Sequence, residues 1–265
     1  MISPTTVSSV RVRSRPPTYV YKSSEKIDRA VVHETASSSP PTFFQKYEIS
    51  RKLFHSGTGL FTVWLYASGY NQRQLVVPLA VMATMCFAQE FIRFRNPQFN
   101  QWFQKTYGFM MRDSEKSQYN GILFFLVGVI LTSAFLPKDL AVMCNFFLSW
   151  ADTSASFFGR MFGRYTPKVS ANKSIAGCLA SFAVGVFSCY LVYAVLVPQF
   201  GPEVDKPHDI MYSVSTSRLN LHVYALLCGT IASFSECVDF YKLDDNFTIP
   251  VISGVSLYAL VWFFQ

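Results

Sequence analysis

Long apolar runs alternate along this sequence with short polar segments that carry most of the charge. Several of the runs are shorter than the ~20 residues that an upright membrane helix needs, and tilt or local bilayer thinning can tolerate such lengths. The pattern predicts an all-α fold, a polytopic integral membrane helix bundle with about seven transmembrane segments. The seven runs lie at about 54–70, 74–92, 120–136, 139–152, 174–197, 221–238 and 248–264.

Residues 1–47 differ from the rest of the chain. They are rich in Ser, Thr, Pro and Arg and poor in large aliphatic side chains, a composition that is typical of disordered segments. Basic residues outnumber acidic ones there, which favours the cytoplasmic side of a membrane. The sequence therefore predicts a disordered, basic cytoplasmic tail at 1–47 and a membrane-embedded domain at 48–265.

The charge distribution orients the predicted bundle. Starting from a cytoplasmic tail, seven spans put the segments 93–119, 153–173 and 239–247 in the cytoplasm, and the first two carry an excess of Lys and Arg. The composition agrees with a membrane protein, since 51% of the 265 residues are hydrophobic and 26 are Phe. The net charge of +7 lies beside apolar runs. We therefore expect membrane lipids and phosphate groups as partners, and no nucleic acid.

The six cysteines lie in or at the edges of apolar runs, and none forms a Cys-x-x-Cys pair. We expect them to be small core residues rather than disulfides or zinc ligands.

Five polar clusters stand out, and the predicted topology puts all of them on the cytoplasmic side. An ionisable residue such as Asp152, at the end of an apolar run, is costly unless it is paired or functional. On a helix, Asp152, Ser156, Gly159 and Gly163 would share one face; the alternative is that the two glycines form a helix-packing contact. The clusters are Arg51-Lys52 with His55, Arg112 with Glu115, Asp152 to Arg164, Lys173 to Gly177, and Glu236 with Asp244, Asp245 and Asn246.

These residue types suit phosphoryl or nucleotidyl transfer. Such a site needs carboxylates to hold a divalent cation and basic groups to neutralise the transferring group. Glycines let backbone approach phosphates. The sequence contains no Walker A motif, kinase glycine loop, Gly-x-Ser-x-Gly or His-Glu-x-x-His. The candidate metal ligands are Asp152, Glu236, Asp244 and Asp245; the candidate basic groups are Arg51, Lys52, Arg160 and Lys173; the glycines are Gly159, Gly163 and Gly177. Two of these have simpler explanations, a plain turn at 244–246 and a Lys173 that merely reaches the membrane surface.

The ordered set of motifs resembles the integral-membrane lipid kinases of the polyprenol, dolichol and phytol kinase group, and within it the fungal CTP-dependent diacylglycerol kinases. The resemblance covers about 48–265. It departs from the group pattern at Ala176, where the group commonly carries an acid. The matching motifs are Arg51-Lys-x-x-His55, Arg112-x-x-Glu115 with Tyr119-Asn-Gly121, Asp152-x-x-Ala-x-x-x-Gly159-Arg-x-x-Gly163, Lys173-Ser-x-x-Gly177, and Glu236 with Asp244-Asp-Asn-x-Thr-x-Pro250.

The resemblance implies CTP as phosphoryl donor, a divalent cation (Mg²⁺ or Ca²⁺) as cofactor and diacylglycerol as acceptor. The products would be phosphatidate and CDP, and the location the endoplasmic reticulum and nuclear membranes. It also implies functional roles for Arg51, Lys52, Asp152 and Gly159. We further expect Lys173 to act in catalysis, and CTP to be bound by Arg112, Arg160, Gly163, Gly177 and Asn246.

Three other readings stay open at this point. The acceptor would be dolichol or another polyprenol in the first. In the second, the protein would be a phosphatidate cytidylyltransferase, which releases pyrophosphate and forms a CDP-lipid. The third is a scaffold or transporter; a transporter would hold its charges near the membrane midplane, whereas these lie at one face.

Overall fold

The fold is described by a computed structural model over residues 49–170, 173–238 and 243–265, and each predicted apolar run contains a helix. Within those ranges there is no β-strand, only an isolated bridge between Lys168 and Ser174. The all-α prediction is confirmed, and the predicted tail lies outside the described residues. The helices are α1 (Ile49–Ala67), α2 (Val76–Arg95), α3 (Pro97–Tyr107), α4 (Gly121–Phe135), α5 (Lys138–Phe146), α6 (Asp152–Phe162), α7 (Ile175–Tyr190), α8 (Val197–Val204), α9 (Leu221–Cys237) and α10 (Asp245–Phe264).

Three helical stretches are long and apolar enough to cross a membrane, namely Gln72–Arg95, Ile175–Val204 and Asp245–Phe264. Helices α4 and α9 are apolar but shorter, and α1 and α5, which occupy the other two predicted spans, do not meet those limits of length and composition. Large apolar side chains such as Met85 and Trp262 point outward. An apolar exterior is what lipid-facing helices expose, so the chain is an integral membrane helix bundle.

Helix α5 lies at the centre of the bundle, and all nine of its residues are buried. It continues through a π-helical segment at Phe147–Ala151 directly into α6. The predicted apolar run ends at about residue 152, but the helix runs on to Phe162, and its later side chains, such as Met161, are exposed. Asp152 therefore stands inside a continuous helix, where the fully buried part ends. π-Helical turns within α-helices are frequent at functional sites.

Two hydrogen bonds fix α1 against the π-helical segment. The hydroxyls of Thr58 and Ser149 are 2.9 Å apart, and Trp150 Nε1 donates to the Ser56 carbonyl at 3.1 Å. Because α1 is held at these positions, its first two turns lie beside the start of α6. This contact brings Arg51 and His55 to the neighbourhood of Asp152.

Helices α7 and α9 pack backbone to backbone. A Cβ added to Gly185 would lie 2.9 Å from the Gly229 Cα, so no larger residue fits there without movement. The contact sets the start of α7 beside the end of α9, where Cys178 and Cys237 form a disulfide with Cα atoms 6.7 Å apart. The prediction that no cysteine is paired is wrong for these two. Their separation of 59 residues leaves no local spacing signal.

Candidate functional site

Three acidic side chains from three helices converge at one end of the bundle. Asp152 begins α6, Glu236 lies in the last turn of α9, and Asp245 begins α10. One carboxylate oxygen of each lies within 4.8 Å of the others. We call these residues the carboxylate cluster. They are three of the four predicted metal ligands.

Lys173 bonds two members of this cluster. Its Nζ donates to Glu236 Oε1 at 2.7 Å and to Asp245 Oδ2 at 3.0 Å. Its position is fixed from the neighbouring residue, because the Ser174 side chain caps α7 by accepting from the Gly177 N–H. Burial alone lowers the pKa of Lys173, but the carboxylates of Glu236 and Asp245 outweigh it and raise that pKa above its ordinary value. The ammonium therefore stays charged.

The carboxylate cluster fits a divalent cation. Glu236 Oε2 is buried and has no hydrogen-bond partner among the described residues, and a buried acceptor of this kind is costly unless a ligand satisfies it. Carboxylate oxygens are the ligands that Mg²⁺ and Ca²⁺ take in proteins, so Asp152, Glu236 and Asp245 would hold such an ion.

The carboxylate cluster opens into a cavity of about 350 Å³, which we call the charged cavity. Five basic side chains from four separate chain segments line it. Such a surround attracts polyphosphate and neutralises its charge. The structure thus brings together all the basic residues predicted for the site. They are Arg51, Lys52, Arg112, Arg160 and Lys173.

Two of the three predicted glycines line the charged cavity. Gly159 shares a face of α6 with Asp152 and Ser156, as predicted, and Gly177 lies opposite on α7. A Cβ on Gly177 would lie 2.8 Å from the Ala155 carbonyl oxygen, so this position needs glycine for the close helix approach. Gly163 follows the end of α6 and is not part of the lining. A Cβ there would lie 3.0 Å from Ser174 Oγ, which agrees with the packing alternative.

Asp244 and Asn246 do not line the charged cavity. Asp244 Oδ1 accepts from the Asn246 backbone N–H at 2.9 Å and caps α10, while Oδ2 lies 3.8 Å from Arg112 Nη1. The Asn246 side chain is buried and donates to the Gly121 carbonyl at 3.2 Å. The structure therefore separates Asp244 from the other three predicted metal ligands and gives Asn246 a supporting contact.

Glu115 is a site residue to which the sequence assigned no role. Its Oε1 accepts from the Gly121 N–H at 3.1 Å and lies 3.9 Å from Arg51 Nη1, and its Oε2 accepts from the Arg112 N–H at 2.9 Å. One buried carboxylate thus contacts two of the three arginines of the charged cavity, Arg51 through its side chain and Arg112 through its backbone. The spacing Arg112-x-x-Glu115 was the signal available in the sequence.

Arg93 is the second residue whose role the sequence missed. Its side chain is fully buried, pairs with Glu90 at 2.6 Å, and donates to the carbonyls of Glu115 and Gln118. It therefore holds the segment that carries Glu115. In the sequence, Arg93 was only one of several basic residues that follow the predicted apolar run at 74–92. Its pairing with Glu90, one helical turn earlier, was readable as an i, i+3 pair.

Charged side chains gathered in one cavity of a membrane helix bundle define a class, an integral membrane enzyme with a site suited to phosphates and a cation. The chain belongs to the Cytidylyltransferase family, whose sequence profile matches residues 41–242. The resemblance to the fungal kinases is confirmed by curated relatives, each described as CTP-dependent diacylglycerol kinase 1. The protein of Saccharomyces cerevisiae is 42% identical over 223 residues, which cover 84% of this chain and 77% of that protein.

Two further relatives carry the same description. The protein of Eremothecium gossypii is 43% identical, with 84% of this chain and 70% of that protein covered. The protein of Schizosaccharomyces pombe is 36% identical, with 82% and 95% covered. No solved structure matches this chain significantly.

Proposed function

We propose that this protein is a CTP-dependent diacylglycerol kinase. It transfers the γ-phosphoryl group of CTP to the hydroxyl of diacylglycerol and yields phosphatidate and CDP. The observation that carries the proposal is that the carboxylate cluster and five basic side chains line one cavity. The descriptions of the three relatives support the choice of donor and acceptor.

Each side chain of the charged cavity has a proposed role. Asp152, Glu236 and Asp245 hold a divalent cation, which when bound neutralises charge on the phosphates of CTP. Lys173 balances the remaining carboxylate charge and faces the transferring group. A loose phosphoryl-transfer transition state depends on positioning and charge neutralisation more than on a strong base. The convergence of these groups is therefore the main requirement for the reaction.

Basic side chains and glycines complete the donor site. Arg51 and Lys52 neutralise the transferring phosphoryl group, and the ion pair with Glu115 at 3.9 Å supports Arg51 in that position. Arg112, Arg160, Gly159 and Gly177 bind CTP, the glycines through close backbone approach. Gly163 and Asn246 act indirectly, by holding the Ser174 turn and the start of α4.

The proposed location is the endoplasmic reticulum and the nuclear envelope, with the charged cavity on the cytoplasmic side. The excess of Lys and Arg in 93–119 and 153–173 supports that orientation. The cytoplasmic side is also where a soluble nucleotide such as CTP is available.

A second function is favoured by one observation, the description of the matching family as cytidylyltransferases. In that reaction the phosphate of phosphatidate would attack the α-phosphorus of CTP and release pyrophosphate. The same carboxylates and basic groups would serve, so the distinction lies in which phosphorus is attacked.

The test is product identity with purified protein in mixed micelles. CTP labelled at the α- or γ-phosphorus is supplied with diacylglycerol, dolichol or phosphatidate, and ATP replaces CTP as control. We expect γ-label, and no α-label, in phosphatidate. Pyrophosphate and α-labelled lipid from phosphatidate would establish the cytidylyltransferase instead, and label in polyprenyl phosphate but not phosphatidate would overturn the acceptor. Asp152→Asn protein controls for contaminating kinases.

A further inference from the structure

A second cavity, of about 250 Å³, adjoins the charged cavity and has no part in the functions assigned above. It lies between α1, α2, α3 and the segment that leads into α4. Most of its surface is apolar, so we call it the apolar cavity. Its apolar lining includes Phe54, Cys86, Phe103, Met110, Met111 and Leu123.

Two side chains form the wall between the cavities. Arg51 and His55 line both of them. The His55 side chain is 8% exposed, and its Nδ1 has no hydrogen-bond partner in the part of the chain that the structure describes. The ring is held by an edge contact with Phe125 at 5.4 Å between centroids. A buried imidazole nitrogen without a partner is costly, so the wall offers an acceptor to a ligand.

The apolar cavity reaches into the membrane. Cys86 lies nine residues before Arg95 on a stretch that is long enough to span, or ~14 Å along the helix at 1.5 Å per residue. Phe54 and Tyr107, which line the cavity, are exposed, as is Trp102 elsewhere on α3. Exposed aromatic residues of this kind are typical of the membrane–water interface. A lipid can therefore reach the cavity from the bilayer.

We propose that the apolar cavity binds the glycerol end of diacylglycerol, with the acceptor hydroxyl donating to His55 Nδ1. This inference rests on the proposed function and deepens it by naming the acceptor site. A volume of about 250 Å³ is below the ~300 Å³ of the smallest sites for drug-sized ligands. It suits an uncharged head and the first carbons of each acyl chain, while the rest of each chain stays in the lipid.

The phosphoryl transfer between the two cavities can be written as a balanced step. The acceptor oxygen forms a bond to the γ-phosphorus of CTP, the bond from that phosphorus to the β–γ bridging oxygen breaks, and CDP leaves with the electron pair. The hydroxyl proton passes to His55 Nδ1 and then to water in the charged cavity. A positioned base of this kind contributes ~10²- to 10⁴-fold to a rate.

Cys86 is a natural probe of the apolar cavity. It is partly exposed, whereas the other free cysteines, Cys144, Cys189 and Cys228, are buried. The rate of its alkylation by N-ethylmaleimide is measured by mass spectrometry in the intact wild-type chain. We expect saturating dioctanoylglycerol to slow alkylation about tenfold, since protection follows 1 + [L]/Kd. Trioctanoylglycerol, which lacks the hydroxyl, should protect less, and CTP not at all. Alkylation at the same rate with and without dioctanoylglycerol would overturn the proposal.

Filling the cavity gives an independent test. Cys86→Trp should raise KM for dioctanoylglycerol about tenfold or more, because the added ring occupies the space of the lipid head. KM for CTP should not change, which also shows that the variant is folded. Met85→Trp is the matched control, since Met85 is 68% exposed on the lipid-facing side of the same helix. An unchanged KM for dioctanoylglycerol in Cys86→Trp would contradict the assignment.

The variant His55→Gln tests whether His55 takes part in the transfer at the wall between the two cavities. We expect kcat to fall about 10²-fold, with KM for CTP unchanged. A wild-type kcat would remove His55 from the acceptor site.

The failures of the two proposals are distinguishable. If the wild-type protein transfers no phosphate from CTP to diacylglycerol, the proposed function fails, while the alkylation assay still decides whether the lipid occupies the apolar cavity. If transfer occurs without protection of Cys86, the cavity assignment alone fails.

Discussion

Two groups of buried or partly buried polar residues, most of them charged, lie at opposite ends of the same helices, and they differ in how completely their hydrogen bonds are satisfied. The one away from the carboxylate cluster, which we call the far-end cluster, consists of Tyr66, Lys138, Asp139 and Asp205. The Asp139 carboxylate accepts from the N–H groups of Leu140, Met211 and Tyr212 and from the Tyr193 hydroxyl. Lys138 Nζ bonds Asp205 at 2.7 Å, and the Tyr66 hydroxyl bonds the other oxygen of that carboxylate.

The carboxylate cluster and its wall leave hydrogen-bonding atoms unused. Glu236 Oε2, Arg51 Nη1 and His55 Nδ1 are all buried without a hydrogen-bond partner within the described ranges. Burial of charge is therefore common to both groups, and their charged members differ: those of the far-end cluster bond one another or the backbone, whereas those of the site keep unpaired atoms. Neutral side chains nearer the far end, such as Gln72 and Tyr224, also carry buried atoms without a partner in the described ranges. Satisfied buried pairs hold the fold together, whereas unsatisfied ones await a ligand.

The largest expected effect separates the two ends by activity. Asp152→Asn keeps the size of the side chain and removes its charge, so turnover should fall about 10³-fold while Tm stays close to wild type. Asp139→Asn should lower Tm and leave turnover per folded molecule unchanged. The amide nitrogen would place a fifth hydrogen-bond donor beside the four donors that contact Asp139, which destabilises the fold. The turnover rate per folded molecule and Tm in detergent, measured for each of the two variants, check both predictions. A wild-type rate with an unchanged metal optimum in Asp152→Asn would end the metal assignment.

The next effect concerns stability alone. Lys138→Ala leaves the Asp205 carboxylate buried without its cation, which should lower the free energy of unfolding by ~3–5 kcal/mol. The kcat of the protein that remains folded should equal wild type. Denaturant or thermal unfolding in micelles measures the first quantity and a mixed-micelle assay the second. A large loss of kcat at full stability would mean that the far-end cluster also serves the reaction.

A smaller effect comes from adding the cation. Mg²⁺ or Ca²⁺ at about 100 times its Kd should stabilise the folded protein by ~2.7 kcal/mol, seen as a rise in Tm. The rise should be lost in Asp152→Asn and in Glu236→Gln, and it should persist in Lys138→Met as control. An equal rise in all variants would point to a general salt effect and not to the carboxylate cluster.

The smallest effect separates two adjacent acids. Asp244→Ala removes the cap of α10 and should cost ~0.5–2 kcal/mol of stability, whereas Asp244→Ser should restore most of it. Neither should shift the metal concentration that gives half-maximal rate. Asp245→Asn should shift it upward. A shift in Asp244→Ser comparable to that in Asp245→Asn would return Asp244 to the set of metal ligands.

The sequence predicted the helices and most of the site because those features depend on local pattern. Apolar runs gave the spans, and Asp152, Glu236 and Asp245 stood out as acids at the ends of such runs. It could not separate Asp245 from Asp244, since adjacent residues on a helix point about 100° apart and the tertiary packing decides which one faces inward. The roles of the individual site residues stay predictions.

Other features depended on contacts that no spacing reveals. The far-end cluster joins residues as distant as Tyr66 and Asp205, and the disulfide joins Cys178 and Cys237. Arg93 looked like one basic residue among several, because its partners are backbone carbonyls whose positions require the fold. The cytoplasmic segment expected from residue 153 begins as a helix because polar residues of α6, such as Ser156, line the charged cavity.

The π-helical segment before Asp152 has a consequence for the register of the long central helix. One residue more than α-helical spacing allows is accommodated between Phe147 and Ala151, and each residue turns a helix by about 100°. The side of α5 that packs in the core and the side of α6 that faces the cavity are thereby set independently. Loss of a single residue there would leave the core helix intact and rotate Asp152 away from Glu236, so chain length at this point is as restrictive as residue identity.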